Sequence, residues 1–115
     1  MYGYCTNVRT IHESLMTSPQ QARNGNAIKP GAQAWEDRYS TDHYVYGTEP
    51  NDFLAQVVRA LPTGRALCLA DSEGRNGVYL ASLGYDVTSM DQTKAGIEKT
   101  MALAVAAQAA RRWPN

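Results

Sequence analysis

The chain has 115 residues, of which 43% are hydrophobic and 19% are charged, and its 11 basic and 11 acidic residues give a formal charge of zero. A chain of this length can form one small domain that buries roughly two thirds of its unfolded surface. The balanced charge argues against nucleic acid as an obligatory partner, because phosphate binding needs a basic surface. Apolar runs stay shorter than the roughly 18 residues of a membrane span, and no secretory signal is recognisable, so we expect no membrane partner and a cytoplasmic protein.

The first third of the chain differs from the rest. Polar and turn-forming residues dominate the stretch 18–31, and such a segment cannot bury enough apolar surface to offset its ordering entropy. We therefore predict a disordered tail over residues 1–33 and a domain over residues 34–115. Cys5 falls in the polar tail and Cys68 in an apolar run, so we expect no disulfide between them and a reducing compartment.

The domain begins with aromatic residues and a helix. Aromatics crowd between residues 35 and 50 without a helical or strand period, which indicates a structured loop or a short helix. Asn51 is then a suitable N-cap for a helix. The apolar stripe of this helix comprises Phe53, Leu54, Val57, Val58 and Leu61.

Two strands alternate with two more helices after residue 64. Residues 65–70 are a nearly continuous apolar run, which predicts a strand buried on both faces. A short helix follows, with Gly84 at its C′ position, and residues 85–91 alternate as a second strand. Thr93 is predicted to cap a last helix that runs to about Arg111. The order helix, strand, helix, strand, helix indicates an α/β fold with parallel strands and right-handed crossovers.

Candidate binding residues lie at the ends of the two predicted strands. Ala70, Ser72 and Gly74 are small, so a ligand could approach the backbone of the turn after the first strand. Asp91 ends the second strand about 20 residues later, where a carboxylate can accept both hydroxyls of a ribose. We expect these two elements to face one crevice.

The turn is acidic, with Asp71 and Glu73, and it lacks the glycine pattern of dinucleotide-binding sites. A pyrophosphate would meet two like charges there, whereas a ligand with ammonium and sulfonium groups, such as S-adenosylmethionine, would suit it. The alternative is a strand, turn and helix unit that binds no ligand.

Residues 35–39, 44–54 and 67–81 resemble the opening of the tellurite-resistance and thiopurine-type methyltransferases, which are class I S-adenosylmethionine-dependent enzymes. The resemblance extends from about residue 35 to residue 107. It implies a Rossmann-like methyltransferase fold with S-adenosylmethionine as the cofactor. The cofactor-binding residues that it implies are Ala70, Asp71, Ser72 and Gly74 around the methionine moiety, Asn76 fixing the turn, Asp91 on the ribose, Gln92 beside the adenine, and Trp35, Arg38 and Tyr46 as a lid.

Two departures from the family pattern matter. Ser72 stands where the family usually has the middle glycine, and its Cβ would crowd the cofactor if that position requires a positive φ. The family's sheet has seven strands, whereas only two are predicted here. The expectation is therefore a truncated, partial fold, the amino-terminal half of a methyltransferase, which is incomplete for catalysis.

By this resemblance, the function is methyl transfer to a small-molecule acceptor such as a soft sulfur, selenium or tellurium centre. We name no catalytic residue, because the sulfonium is already activated and alignment of the acceptor suffices. One alternative is a non-catalytic cofactor-binding or interaction module that a partner chain completes. Another is a fragment of a nucleotide-dependent oxidoreductase, which the acidic turn disfavours.

Partners follow from the same considerations. Two strands leave unpaired edges, through which the chain could associate with itself. His12 and His43 have no neighbours at metal-ligand spacing, so we read both as surface residues and expect no metal site.

Overall fold

The computed structural model describes residues 3–8, 20–21 and 30–110. Within these residues four strands are present: β1 (Tyr4–Asn7), β2 (Gln20–Gln21), β3 (Arg65–Cys68) and β4 (Asp86–Asp91). They form one mixed sheet in the order β2-β1-β4-β3. β3 pairs with β4 in parallel, whereas β1 is antiparallel to both β4 and β2.

The predicted disordered tail over residues 1–33 is corrected only where the structure describes it, because Tyr4–Asn7 and Gln20–Gln21 form strands and a helix begins at Pro30. Tyr4 pairs with Asp91 and Asn7 with Thr88, and the Val8 N–H donates to the carbonyl oxygen of Val87 at 2.9 Å. Strand β1 thus satisfies the backbone groups of β4 that face away from β3. The other residues of the predicted tail, 1–2, 9–19 and 22–29, lie outside the described residues.

Four α-helices accompany the sheet: α1 (Pro30–Tyr39), α2 (Asp52–Val57), α3 (Arg75–Ser82) and α4 (Lys94–Ala109), and a 3-10 turn (Val58–Ala60) extends α2. From α2 onward the predicted order of helices and strands is confirmed. None of the described helices is both long enough and apolar enough to cross a bilayer.

The predicted helix ends are also confirmed where they are described. The Asn51 side chain accepts a hydrogen bond from the Leu54 N–H, and the Thr93 hydroxyl accepts one from the Gly96 N–H. Gly84, one residue past the C-cap of α3, has a φ of 100°. Arg111, the predicted end of the last helix, lies outside the described residues.

The hydrophobic core lies between one face of the sheet and helices α3 and α4. Alternate residues of β4 are buried, and Val87, Ile97 and Ala104 are fully inaccessible to solvent. Both helices contact β4 and pack against each other. The buried core comprises Val8, Val58, Val78, Leu80, Ala81, Tyr85, Val87, Ile97, Met101, Ala104 and Ala107.

Two predictions of burial are wrong. Leu67 of β3 is 60% exposed, so this strand is not buried on both faces, and Phe53 of α2 is 70% exposed. Among the described residues β3 is the edge of the sheet, and its outer face has no helix packed on it. In the stripe predicted for α2, Leu61 is also exposed and Val58 is the buried member.

Candidate functional site

A cavity of about 410 Å³ lies beyond the carboxyl ends of β3 and β4. This volume is within the range of small-molecule sites, and open α/β sheets bind their ligands at this edge. The turn after β3, the end of β4, helix α1 and the loop after α1 form its walls. The lining residues are Trp35, Tyr39, Tyr46, Gly47, Ala70, Asp71, Ser72, Glu73, Arg75, Asn76, Asp91 and Gln92.

Most of the residues predicted to bind the cofactor line this cavity together, and Arg38 and Gly74 do not. The Arg38 guanidinium lies 5.2 Å from the ring centroid of Trp35 and 5.8 Å from that of Tyr46, so it joins these two walls from outside. Gly74 is buried as the N-cap of α3 with a φ of 91°, and a Cβ there would collide with Thr100.

The turn after β3 has an unusual backbone. Ala70 and Ser72 have φ values of 51° and 56°, the left-handed region that non-glycine residues rarely adopt. On the sequence alone, the Ser72 Cβ is expected to crowd the cofactor if this position requires a positive φ. The position does have a positive φ, at which a glycine would be unstrained. The Asp71 N–H between them donates to the carbonyl oxygen of Met90 at 2.9 Å, which ties the turn to β4.

The Asp71 carboxylate points into the protein. One of its oxygens accepts hydrogen bonds from the Ser89 hydroxyl at 2.8 Å and from the Gly77 N–H at 3.2 Å. Burial raises the pKa of Asp71 to about 6, against the lowering effect of these two hydrogen bonds. The Asp71 carboxylate thus lies at the amino terminus of α3, where a negative charge is favourable for the helix dipole.

The Asp91 carboxylate joins the turn to the amino terminus of α4. One oxygen accepts the Ser72 N–H at 3.0 Å, and the other accepts both the N–H and the hydroxyl of Thr93, at 3.1 and 2.6 Å. Burial raises the pKa of Asp91, and these hydrogen bonds oppose the increase. A carboxylate offers about four acceptor positions, so three partners leave room for about one ribose hydroxyl. If Asp91 accepts both ribose hydroxyls, as predicted, one of these three hydrogen bonds has to break.

The acidic turn presents less charge to a ligand than the sequence predicted. Glu73 is 3% exposed, and its carboxylate forms an ion pair with Lys99, with the Nζ and Oε2 atoms 2.6 Å apart. Both turn carboxylates, Asp71 and Glu73, are therefore engaged by the protein itself. Electrostatic attraction of a sulfonium by a free acidic turn is not supported by this arrangement.

Several residues of the site were missed by the sequence analysis. Tyr39, Gly47 and Arg75 also line the cavity, together with Glu73 of the predicted acidic turn. A signal existed for Tyr39, which lies four residues after Trp35 on the same helix face, with ring centroids 5.6 Å apart. Burial raises the pKa of Tyr39 despite a hydrogen bond with Ser72.

Glu36 is a further missed residue, and no local pattern indicated its role. Its two carboxylate oxygens accept the Lys94 N–H at 2.8 Å and the Ala95 N–H at 2.9 Å. Helix α1 therefore caps the amino terminus of α4 beside Asp91. A second side-chain contact joins the residue before α2 to α3, since the Asn76 amide oxygen accepts the Asn51 N–H at 2.8 Å.

His43, which was predicted to be a surface residue, is exposed and lies 3.7 Å from the exposed carboxylate of Asp42. His12 lies outside the described residues. Both cysteines are free thiols, and burial raises the pKa of Cys68 to about 12, which keeps it protonated and unreactive.

Comparison with protein-family models gives a match over most of the domain. The family model described as tellurite resistance protein TehB matches residues 33–108, a segment that contains every residue lining the cavity. No curated protein and no solved structure matches the chain significantly.

Proposed function

Since the chain belongs to the family of the tellurite resistance protein TehB, a family of S-adenosylmethionine-dependent methyltransferases, we propose that its cavity binds S-adenosylmethionine. In this proposal the bound cofactor serves methyl transfer to a small-molecule acceptor. The observation that carries the proposal is the convergence of the turn 70–74 and Asp91 on one cavity at the carboxyl edge of β3 and β4.

The residues present fit this cofactor in size and in chemistry. Asp91 retains one acceptor position for a ribose hydroxyl, and Gln92 lies next to it on the cavity wall. Trp35 and Tyr46 offer aromatic surfaces for a flat or cationic group. Ala70, Asp71, Ser72 and Asn76 supply backbone and side-chain polar groups around the turn.

The amino terminus of α3 distinguishes this ligand from a dinucleotide. A dinucleotide places its pyrophosphate on the free N–H groups of the helix that follows the first strand. Here the Asp71 carboxylate already accepts the Gly77 N–H at 3.2 Å, so this helix N–H is not free to bind a pyrophosphate. S-Adenosylmethionine contains no phosphate and does not need this donor.

S-Adenosylmethionine supplies a methyl group that its sulfonium already activates. The chain's own contribution would be to hold the cofactor and exclude water from its sulfonium, so that rate enhancement comes from alignment of the acceptor. We assign no catalytic residue. Both cysteines are free thiols, which fits a reducing cytoplasm.

Isothermal titration of the protein with S-adenosylmethionine, S-adenosylhomocysteine and NAD tests this proposal. We expect the two adenosyl compounds to bind and NAD not to bind. Asp91→Asn should weaken binding about tenfold, since an interaction of about 1.4 kcal/mol with a charged acceptor is lost. Asp52→Asn, at an exposed position of α2, is the matched control and should leave affinity unchanged. Binding of NAD alone would overturn the assignment.

A second candidate function is a cofactor-binding module that a partner chain, or a second copy of this chain, completes. Two observations favour it. Strand β3 is an edge of the sheet among the described residues, and edge strands pair with other strands. Leu67 on β3 and Leu69 just after it are 60% and 57% exposed. Sedimentation velocity should then show self-association that Leu67→Lys abolishes. A monomer at about 100 µM, a concentration at which edge contacts of even modest affinity form, would argue against the second copy.

A further inference from the structure

A largely buried ion pair joins Glu73, which lines the cavity, to Lys99 of α4, and neither residue is among the predicted cofactor-binding residues. Glu73 of the turn and Lys99 of α4 are 2.6 Å apart, with side chains 3% and 15% exposed. Truncating one member of such a pair leaves an uncompensated buried charge. The pair joins two elements that are separated by 26 residues in sequence.

Both members of the pair also hold the loop that connects α1 to α2, residues 40–51, which we call the cavity loop. The Val45 N–H donates to Glu73 Oε1 at 2.8 Å, and Lys99 Nζ donates to the carbonyl oxygen of His43 at 2.6 Å. In return, the Tyr44 hydroxyl donates to the carbonyl oxygen of Lys99 at 3.1 Å. Three consecutive loop residues are therefore bound to the pair.

The next two residues of the cavity loop, Tyr46 and Gly47, form a wall of the cavity. Beyond them the loop is held again, because Arg75 donates to the carbonyl oxygen of Glu49 at 3.3 Å and Asn76 accepts the Asn51 N–H at 2.8 Å. The wall residues therefore lie between two segments of the loop that are both hydrogen-bonded to the rest of the protein. The segment that precedes them in sequence is bound to the Glu73–Lys99 ion pair.

We propose that Glu73 and Lys99 are positioning residues that preorganise the Tyr46 wall of the cavity for the cofactor. This inference rests on the proposed function, and it gives the buried acidic residue of the turn a role other than attraction of the sulfonium. Without the pair, the cavity loop would have to be ordered when the ligand binds, and that ordering costs affinity.

The test uses the full chain and compares four variants. Lys99→Met removes the charge, Lys99→Arg retains it, and Tyr44→Phe removes one attachment of the loop while leaving the ion pair intact. Lys94→Met is the matched control, since Lys94 lies in the same helix and is half exposed in an i,i+4 pair with Glu98. Two quantities are measured: affinity for S-adenosylmethionine by titration calorimetry, and amide hydrogen exchange of peptides covering residues 41–47 without ligand.

We expect Lys99→Met to weaken binding about tenfold, because ordering one or two loop residues costs about that much. Lys99→Arg should remain within about threefold of the unaltered protein, as expected where charge is the requirement. Tyr44→Phe should weaken binding about threefold, the loss of roughly half a typical net hydrogen bond. Loop exchange should accelerate in Lys99→Met and Tyr44→Phe and remain unchanged in Lys94→Met.

Val58→Ala is the control for a general loss of stability, because Val58 is buried and does not line the cavity. It should lower the melting temperature without changing affinity or loop exchange. A folded Lys99→Met protein with the affinity and loop exchange of Lys94→Met would overturn the proposal. If Lys99→Met does not fold, unchanged affinity and exchange in Tyr44→Phe would overturn it instead. If the unaltered protein binds no S-adenosylmethionine, the proposed function fails, whereas the role of the pair in ordering the loop is still decided by hydrogen exchange.

Discussion

Asp71 is a buried ionisable residue of the site whose burial is costly to its charged form. The residue is 7% exposed, and burial raises its pKa to about 6 from 3.8. The folded state therefore binds a proton more tightly than the unfolded state does. Its contribution to stability is greatest below about pH 4 and falls as pH rises to about 6, above which it is constant.

We predict that Asp71→Asn removes much of this pH dependence. An amide oxygen can still accept the Ser89 and Gly77 hydrogen bonds, but it carries no charge to desolvate. Between about pH 4 and pH 7 the unfolding free energy of the unaltered protein should fall by up to about 3 kcal/mol through this group. Urea unfolding at several pH values measures the effect. An equal slope in the Asp71→Asn and Asp52→Asn proteins would contradict the assigned pKa.

Ser72 is strained by its backbone conformation, with a φ of 56°, and Ser72→Gly tests this. A left-handed φ costs a non-glycine residue about 1–2 kcal/mol, and the extra unfolded-state entropy of glycine offsets about 0.5–1 kcal/mol of the gain. We expect Ser72→Gly to be neutral or to stabilise the protein by about 1 kcal/mol, and to strengthen S-adenosylmethionine binding because the Cβ is removed.

Ser82→Gly is the matched control for this substitution. Ser82 lies at the end of helix α3, where glycine costs about 1 kcal/mol. Thermal unfolding should therefore shift in opposite directions for the two variants, or remain unchanged for Ser72→Gly. A destabilised Ser72→Gly protein would show that its side chain contributes more than the strain costs.

For single residues, the sequence predicted which ones line the cavity together but not which hydrogen bonds their side chains form. The spacing of Asp91 from the turn sufficed to place both on one cavity, because parallel strands end at the same edge of a sheet. The partners of each carboxylate could not be predicted. Those of Asp71 include an amide six residues ahead and a hydroxyl 18 residues away, whose positions depend on packing.

Among the elements, the turn after β3 and the first turn of α4 approach most closely. A Cβ on Gly96 would collide with the carbonyl oxygen of Ser72 and lie 2.6 Å from the Thr93 hydroxyl oxygen. Glycine is an unfavourable residue for a helix by about 1 kcal/mol, and this contact explains its presence. Helix α4 could not otherwise begin beside the cavity.

Gly96→Ala should therefore destabilise the protein despite the better helix propensity of alanine. We expect a net loss of up to about 2 kcal/mol, the usual overpacking cost of about 1–3 kcal/mol less a propensity gain of about 1 kcal/mol. Gly64→Ala is the matched control, because a Cβ at Gly64 would have no atom within 4 Å. Chemical unfolding of both variants measures the difference, and a stabilised Gly96→Ala protein would refute the close contact.

The elements themselves were largely predictable from local chemistry. Asn51, Gly84 and Thr93 marked helix ends through side-chain capping or a positive φ, which depend on residues a few positions away. The burial of β3 was mispredicted because it depends on distant elements and not on neighbouring residues. An apolar run indicates burial on both faces only if other elements cover them, and Leu67 has none among the described residues.

At the scale of the whole molecule, the amino-terminal strand belongs to the core. Val8 is fully buried, and its N–H donates to the carbonyl oxygen of Val87. Val8→Ala should lower the unfolding free energy by about 1–3 kcal/mol through the cavity it leaves. Leu61→Ala, at a position 56% exposed, should change it by less than about 0.5 kcal/mol. Equal stabilities of the two variants would restore the prediction of a disordered start.

The sequence could not predict this strand because its pairing is remote. Tyr4 lies opposite Asp91, and four residues within a polar segment carry too little periodicity to indicate a strand. The family resemblance began only near residue 35, so it gave no information about the segment before it. A mixed sheet therefore replaced the expected parallel pair.

Under the proposed function, the cap that Glu36 places on α4 would limit which adenosine compounds the cavity accepts. Coenzyme A and NADP carry an extra phosphate on the ribose of their adenosine, and proteins that bind such groups usually offer them positive charge or free amides. Here the Glu36 carboxylate already accepts the Lys94 and Ala95 N–H groups, three and four residues beyond Asp91. Burial raises the pKa of Asp91, and the negative charge of Glu36 adds to that increase. Phosphorylation of a ribose held by Asp91 would thus convert a favourable contact into a repulsive one, and selection among cellular adenosine compounds would begin at that sugar.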